Sequence, residues 1–393
     1  MSMAIAIDST EEAPPSASRI ERLHIINSLA EAEPIWRDLE ARSAAFTPYQ
    51  RFDFLTAWQR NVGKQQILRP LIVVAYDAQR RPVLLLPLAI EQRNAVRIAS
   101  FMGGKHANFN MALWDKDFAG EAGAIDLEIL LRKIRDCAIA DVLALIQQPM
   151  RWRDQPNPFA LLPHQPSVNR CPLLIMEPGA APTELIGNSF RSRLKSKERK
   201  LQTLSRYRYR VAHGDEDITR LLDWFFRTKP LRMAEQKLPN VFAEPGVEAF
   251  VREACMTELA GGGHTIDLHI LECDEEIIAL FAGVADCDRF SMMFNTYTIS
   301  SNSRYSPGLI LIRNIVDHYA SLRYRAIDLG IGSDEYKRLF CKSDEPIFDC
   351  FVPLSGRGRL VATALALIYR GKHLVKQNPR LSRLVHRMRG FVH

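Results

Sequence analysis

Long hydrophobic runs are missing from this 393-residue chain. The longest candidate, LVATALALIY at 360–369, is about half of the roughly 20 residues that a membrane-spanning helix needs. The opening MSMAIAIDSTEEAPPSASRIE has no basic segment ahead of an apolar core. A secretory leader is therefore not expected, and residues 1–20 read as a disordered tail. Cysteine is sparse and scattered, at 137, 171, 255, 273, 287, 341 and 350, with no C-x-x-C pair. That usage suits reduced thiols in a cytoplasm and offers no zinc-ligand spacing. Also missing are H-E-x-x-H, G-x-S-x-G and G-x-x-x-x-G-K-[ST], so metalloprotease, α/β-hydrolase and P-loop NTPase readings have no support. His264 and His269 stand five apart around a strand, a poor geometry for paired ligands, and GGKHANFN (103–110) reads as a turn. No metal is expected.

What is present is ordinary for a globular protein: 47% hydrophobic and 25% charged residues, in a length that suits two domains. The charge, however, is segregated. Residues 355–393 hold nine basic side chains and no acidic one, and 188–210 hold nine against Glu198 alone. Together these exceed the whole net charge of +7, so the rest of the chain is net acidic. Such segregation implies an anionic partner: a phosphate-bearing cofactor, a membrane surface or nucleic acid.

Two regions read in the same order. In the first, helix-like RFDFLTAWQRN (51–61) precedes strand-like PLIVVAYD (70–77), PVLLLPLAI (82–90) and a strand near 95–101. A helix over 125–138 and a strand over 141–147 follow. In the second, a helix over 247–260 precedes strands at 265–272, 275–285 and 289–298, then a helix after Pro307 and a strand at 324–332. Between them QQPMRWRDQPNPFALLPHQPSVNRCP (147–172) carries six prolines and reads as a connector. The expected organisation is a first unit at 21–150, a connector at 151–187, a second unit at 188–355 and a basic helical tail at 356–393.

The stretch NTYTISSNSRYSPGLILIRN (295–314) concentrates the chemistry. Leu309, Ile312, Val316 and Tyr319 keep helical spacing, Ser306 is a good N-cap and Pro307 suits the first helical position. The amides of Gly308, Leu309 and Ile310 then fall among the unpaired donors of the first turn, at the positive end of the helix dipole. Arg304 can add a charge. The alternative is a plain capped helix start in which Ser306 satisfies one of those amides.

Taken together, the pattern resembles the Gcn5-related N-acetyltransferase (GNAT) superfamily. It is most similar to the branch associated with bacterial cellulose and exopolysaccharide biosynthesis, itself related to the Fem-type aminoacyltransferases. The resemblance covers roughly 21 to 355. It rests on FTPYQRFDFLTAWQRN, RRPVLLLPLAI, RSRLKSKERKL (191–201), SPG (306–308), IDLGIGSDEYK (327–337) and Phe340. It implies an α+β fold of two tandem GNAT-like units with mixed β-sheets flanked by helices. It also implies an acetyl-CoA or other acyl-CoA co-substrate on the second unit, its pyrophosphate held by Arg304, Ser306, Pro307, Gly308, Leu309 and Ile310. The family's more familiar phosphate loop is richer in glycine; here Arg304 and Gly308 stand in its place at a different spacing. The first unit, lacking Ser-Pro-Gly, would be a degenerate copy walling an acceptor cleft.

Three side chains are candidates for catalysis. Asp328, in the apolar strand AIDLGIG, would take a proton from an acceptor, unless it caps a turn or pairs with an arginine. Tyr336 would protonate a departing thiolate, and Lys337 would bind a phosphate or an acidic acceptor. Equally, SDEYKRLF is a plain helix start with Ser333 as cap and Tyr336 in the core. In 190–210, Phe190, Leu194, Leu201 and Leu204 share one helical face under a basic surface, which is either a solvated face or a ligand site. The basic 356–393 segment is either a surface tail or an amphipathic contact with anionic lipid.

The leading expectation is an acyltransferase acting on an amine or hydroxyl of a small molecule or glycan. The alternatives are a Fem-like transferase using aminoacyl-tRNA, the one reading that needs nucleic acid, and a non-catalytic accessory protein of polysaccharide synthesis at the inner membrane face.

Overall fold

The computed structural model describes residues 18–42, 45–177, 179, 182–332 and 334–378. The tail expectation for 1–17, the last part of the basic segment (379–393) and the capping role of Ser333 lie outside them. The first part of the chain runs β1 (Arg22–Ile26), α1 (Leu29–Ala41), α2 (Phe52–Trp58), β2 (Arg69–Tyr76), β3 (Pro82–Arg93), β4 (Val96–Phe101) and β5 (Leu113–Trp114). It continues with α3 (Lys116–Glu121), α4 (Ala124–Asp136), β6 (Val142–Pro149), β7 (Arg151–Trp152), β8 (Gln155–Pro156), β9 (Gln165–Pro166) and β10 (Cys171–Ile175). The second part runs α5 (Pro182–Leu185), α6 (Asn188–Leu201), β11 (Arg208–Val211), α7 (Asp215–Glu235), α8 (Val247–Met256), β12 (Asp267–Glu272), β13 (Ile277–Ala285) and β14 (Arg289–Tyr297). It ends with α9 (Pro307–Ser321), β15 (Ala326–Asp328), β16 (Ser343–Glu345), β17 (Ile347–Pro353) and α10 (Gly356–Gln377).

Local chemistry accounts for the main boundaries. Asp126 accepts from the Gly123 amide at the start of α4, and Ser355 Oγ accepts from the Gly358 amide at the start of α10. Helix α7 opens on Asp215, Glu216 and Asp217, which suit the positive end of its dipole. No sequence expectation covered α7.

The strands form two mixed sheets, ordered β1-β2-β3-β4-β6-β17-β9, with β5 on β3, and β11-β12-β13-β14-β15-β10-β16. Each sheet is antiparallel apart from one parallel pair, β4 with β6 and β14 with β15. This is the duplicated pattern read from the sequence, but the two units exchange strands. Strand β10, from the stretch expected to be a connector, inserts between β15 and β16 of the second sheet. Strand β17, from the end of the second unit, pairs with β6 of the first. The proline-rich stretch therefore contributes sheet as well as linkage.

A large buried core runs through the first sheet and one face of the second, where α7 and α8 contribute Leu221, Leu222, Phe225 and Phe250. A smaller core on the opposite face of the second sheet is built by α9 and α6, through Ile310, Leu311, Ile315, Leu194 and Leu201. The apolar face expected of 190–210 is this one: Leu194 and Leu201 are buried, and Phe190 and Leu204 pack against them. Among the described residues no helix is long and apolar enough to cross a membrane.

Candidate functional site

Two strands of the second sheet part company. The parallel pairing of β14 with β15 covers only Arg289–Ala326, Phe290–Ile327 and Ser291–Asp328. Beyond Ser291 the register of β14 shifts against β13, between Ala282 and Gly283, a bulge that bends the strand away. The chain after Asp328 leaves the sheet, with Gly330 in the left-handed region at φ 72°. A Cβ there would stand 2.6 Å from the Met292 carbonyl oxygen, so only glycine lets the loop pass. The result is a V between the end of β14 and the loop 329–340, with the N-terminus of α9 beside it: Gly308 lies against Tyr297.

The residues expected at the helix start behave differently from the expectation. Ser306 is the N-cap residue, but it sits at φ 57° and makes no side-chain cap. Its hydroxyl instead takes a hydrogen bond from Lys197 Nζ of α6 at 2.8 Å. The amides of Leu309 and Ile310 both donate to the Ser306 carbonyl, at 3.0 and 3.2 Å. Pro307 has no N–H, so among the described residues the Gly308 amide is the first-turn donor without a partner. Ile310 is buried in the core. Arg304 turns outward and bonds the Tyr305 hydroxyl at 2.8 Å. An anion here would meet one amide, Lys197 and the exposed basic side chains of α6 such as Arg193 and Lys200, instead of a nest of backbone donors.

Asp328 is corrected from mouth to interior. It is fully buried, and its carboxylate accepts from Arg289 Nε at 2.9 Å, Ser291 Oγ at 2.8 Å and the Gly330 amide at 3.0 Å. It thus both pairs with an arginine and caps a turn, the two roles set against catalysis above. The network continues into the first unit: Tyr49 and Ser291 share a hydroxyl bond at 2.7 Å, and Asn108 Nδ2 donates to Tyr49 and to the Met292 carbonyl. Arg289 is held over the rings of Phe109 and Trp152 and also reaches Glu345. Burial and the neighbouring Asp328 charge hold the Tyr49 phenol well above its ordinary range. Asp328 is a hub fastening the two units together, with no open position for an acceptor.

Lys337 is likewise engaged. It is buried, and its ammonium donates to the carbonyls of Gly330 and Ile331 at 3.2 and 3.1 Å, with Asp334 at 3.3 Å. It clamps the loop that forms one wall of the V. Tyr336, on a short 3-10 turn at Glu335–Leu339, is partly buried and hydrogen-bonded to the Asn295 side chain of β14. Burial and the nearby Asp334 push its phenol up to about 12, so it holds its proton at neutral pH.

Sequence reasoning missed the groups that α7 brings. Burial and the neighbouring Arg232 lower the pKa of Lys229, with Asp334 acting the other way. Among the described residues its ammonium has no hydrogen-bond or ion-pair partner. Arg232 lies over the Tyr297 ring at 3.7 Å. Tyr336 and Asn295 therefore join at the V, and Lys229 approaches the same loop from α7 closely enough to feel the Asp334 charge. A lysine beside Pro230 within an amphipathic helix was the only local signal.

The first unit opens in the same way. Pairing of β4 with β6 ends at Ser100–Ala144, and a cavity of about 790 Å³ occupies the gap beyond. Its walls include Trp58, Ser100, Asn108, Gln147, Asp349 and, from the second unit's loop, Ile331.

Residues 188–338 match the domain model described as "Acetyltransferase (GNAT) domain". No curated protein matches the chain. Among solved structures, the C-terminal domain of a putative lysylphosphatidylglycerol synthetase from Agrobacterium fabrum aligns over 88% of this chain and 97% of its own, at 13% identity and a TM-score of 0.50. A protein of unknown function from Bacteroides thetaiotaomicron aligns over 85% and 100%, at 12% identity and a TM-score of 0.51. FemX aligns over 83% and 96%, at 8% identity and a TM-score of 0.55. At these identities the likeness is one of fold. The chain is built as two GNAT-like units in tandem, and it is the second that carries the match to the acetyltransferase (GNAT) domain.

Proposed function

We propose that the protein is an acyltransferase that carries an acyl group from a thioester, an acyl-CoA, to an amine or hydroxyl acceptor. The observation that carries this reading is the V between β14 and the 329–340 loop, with a free helix-start amide and Lys197 beside it, Tyr336 and Asn295 at it, and Lys229 of α7 within reach of the Asp334 charge on that loop. The donor's phosphates would lie at Gly308, Lys197 and the basic face of α6, and the thioester would enter the V. The acceptor's nitrogen or oxygen adds to the thioester carbonyl and gives its proton to the unpaired Lys229 amine. The C–S bond then breaks, and Tyr336 delivers a proton to the sulfur. The cavity of the first unit, which shares Ile331 with the clamped loop, is where the acceptor would be held. A sugar or cell-envelope precursor suits its mixture of aromatic and amide side chains, in keeping with the resemblance to polysaccharide-associated acetyltransferases.

Calorimetry with acetyl-CoA, followed by a turnover screen over amino sugars, tests the reading. Wild-type protein should bind, and Lys197→Ala should weaken binding about tenfold, the worth of one charge-assisted contact. Failure of every CoA species to bind would sink it.

One observation favours a second reading. A single open amide beside a strongly basic helix suits a larger polyanion, and the fold is shared with FemX, so an aminoacyl-tRNA donor is the competing proposal. It requires tRNA binding that weakens steeply with salt, about 0.7 to 0.9 of a log unit per phosphate contact for each decade.

A further inference from the structure

Helix α10 has two apolar faces, and only one is used. Its inner face is fixed to the first sheet. Gly358 and Ala362 are buried, and a Cβ on Gly358 would stand 1.8 Å from the Asp141 carbonyl oxygen. Tyr369 packs on Phe351, and His373 bonds the Ser167 carbonyl at 2.8 Å. On the outer face Leu360, Leu367 and Leu374 follow one another at intervals of seven and are 77%, 61% and 63% exposed, with Ile368 beside them. At 100° per residue these three drift by only some 40°, so they form one continuous ridge about 20 Å long. Ala364 and Gly371 fill the intervals. Arg359 and Arg370 lie on one side of the ridge, while Lys372 turns toward the inner face over the Tyr369 ring. From Ser355 to His393 there is no acidic side chain, and Arg380, Arg383, Arg387 and Arg389 continue the basic run.

We infer that this outer face docks the protein on an anionic lipid bilayer, with the helix lying in the plane of the surface. The inference goes beyond acyl transfer and does not depend on it. Such a surface satisfies both halves of the pattern: the leucines enter the boundary of the acyl chains while the arginines and lysines remain among lipid phosphates. A second copy of the chain would match the spacing of the leucines. It would, however, set two cationic rims against each other with no acidic partner on either helix. A nucleic acid would match the charge and leave the apolar ridge in water. The inner-face contacts hold the ridge outward, so no rearrangement is needed to present it.

The test is flotation of the full chain with vesicles of phosphatidylcholine alone and of phosphatidylcholine mixed with phosphatidylglycerol, with light scattering on the free protein. Wild type should float with the mixed vesicles, only weakly with the neutral ones, and less at high salt. Leu367→Glu with Leu374→Glu should reduce flotation about tenfold or more, as removal of two buried apolar anchors implies, with an unchanged melting temperature because both side chains are exposed. Arg359→Glu with Arg370→Glu should abolish the preference for the anionic lipid. Equal partition into both vesicles, no flotation, or unimpaired flotation of the leucine variant would overturn the inference. So would a wild-type dimer that the leucine variant dissolves while flotation persists.

Discussion

Arg289 and Asp328 stand two residues apart in register across the parallel pair β14–β15, with Arg289 Nε 2.9 Å from Asp328 Oδ2 and both side chains buried. The Asp328 charge helps hold the Arg289 guanidinium above its ordinary range, against the effect of burial. Through Ser291 the pair reaches Tyr49 of the first unit, so a carboxylate that looks catalytic in the sequence is a fastening between units.

Asp328→Asn is therefore expected to act on stability. Removing one partner leaves Arg289 with Glu345 alone, and the loss should be about 3 kcal/mol. Urea denaturation measures it. An unchanged midpoint together with a hundredfold or larger loss of turnover would restore Asp328 to a catalytic role.

Tyr336→Phe should do the reverse. The phenol packs at the V and bonds Asn295, so its removal costs little stability. Turnover should fall about 10²-fold, the low end for loss of a general acid, with the KM for the donor unchanged. Steady-state kinetics on protein of verified melting temperature separates the two effects.

Lys229 sets a pH limb. An amine accepts a proton only when it is unprotonated, and burial lowers its pKa from the ordinary lysine value. Activity should rise with pH through a limb below the usual lysine range and then level off. Lys229→Arg keeps the charge but stays protonated, so it should lose most turnover, about 10²-fold or more, across the whole range. A full pH–rate profile of both proteins decides the point.

His269 should govern acid stability. It is fully buried, with Tyr209 and Tyr319 hydroxyls on its two ring nitrogens at 2.9 and 3.1 Å. Burial, with His318 adding to it, lowers its pKa to about 3. As pH falls below the ordinary histidine value near 6.5, the unfolded chain takes up a proton that the folded one refuses, so stability is lost from there down to about pH 3. This group should make the protein about 2 kcal/mol less stable at pH 5 than at pH 7. Denaturant midpoints at the two pH values test it, and His269→Gln should flatten the difference.

Much of the architecture could be read in advance because it is written in local period. Alternating and continuous apolar runs marked the central strands of both sheets, β2, β3, β4 and β6 in the first and β12 to β15 in the second, but not edge strands such as β1 and β11. Ser306-Pro307-Gly308 marked the start of α9, since proline fixes φ for a first helical position. Leu194 and Leu201 marked the packed face of a basic helix, and the exposed leucines of α10 carry a spacing visible in the chain. The sequence by itself determined these, because neighbours along the chain decide them. Only tertiary structure decided the rest. The exchange of β10 and β17 depends on pairings between strands far apart in the chain. Whether Asp328 takes protons or pairs depends on Arg289, 39 residues earlier, and whether Lys337 is free depends on where two carbonyls of a glycine-rich loop point. The bond between Asn295 and Tyr336, and the approach of Lys229 to Asp334 on the same loop, have no local signature either. Burial and charge environment give these side chains their chemistry, and three elements distant in sequence create that environment only when the sheet splays and α7 folds over it.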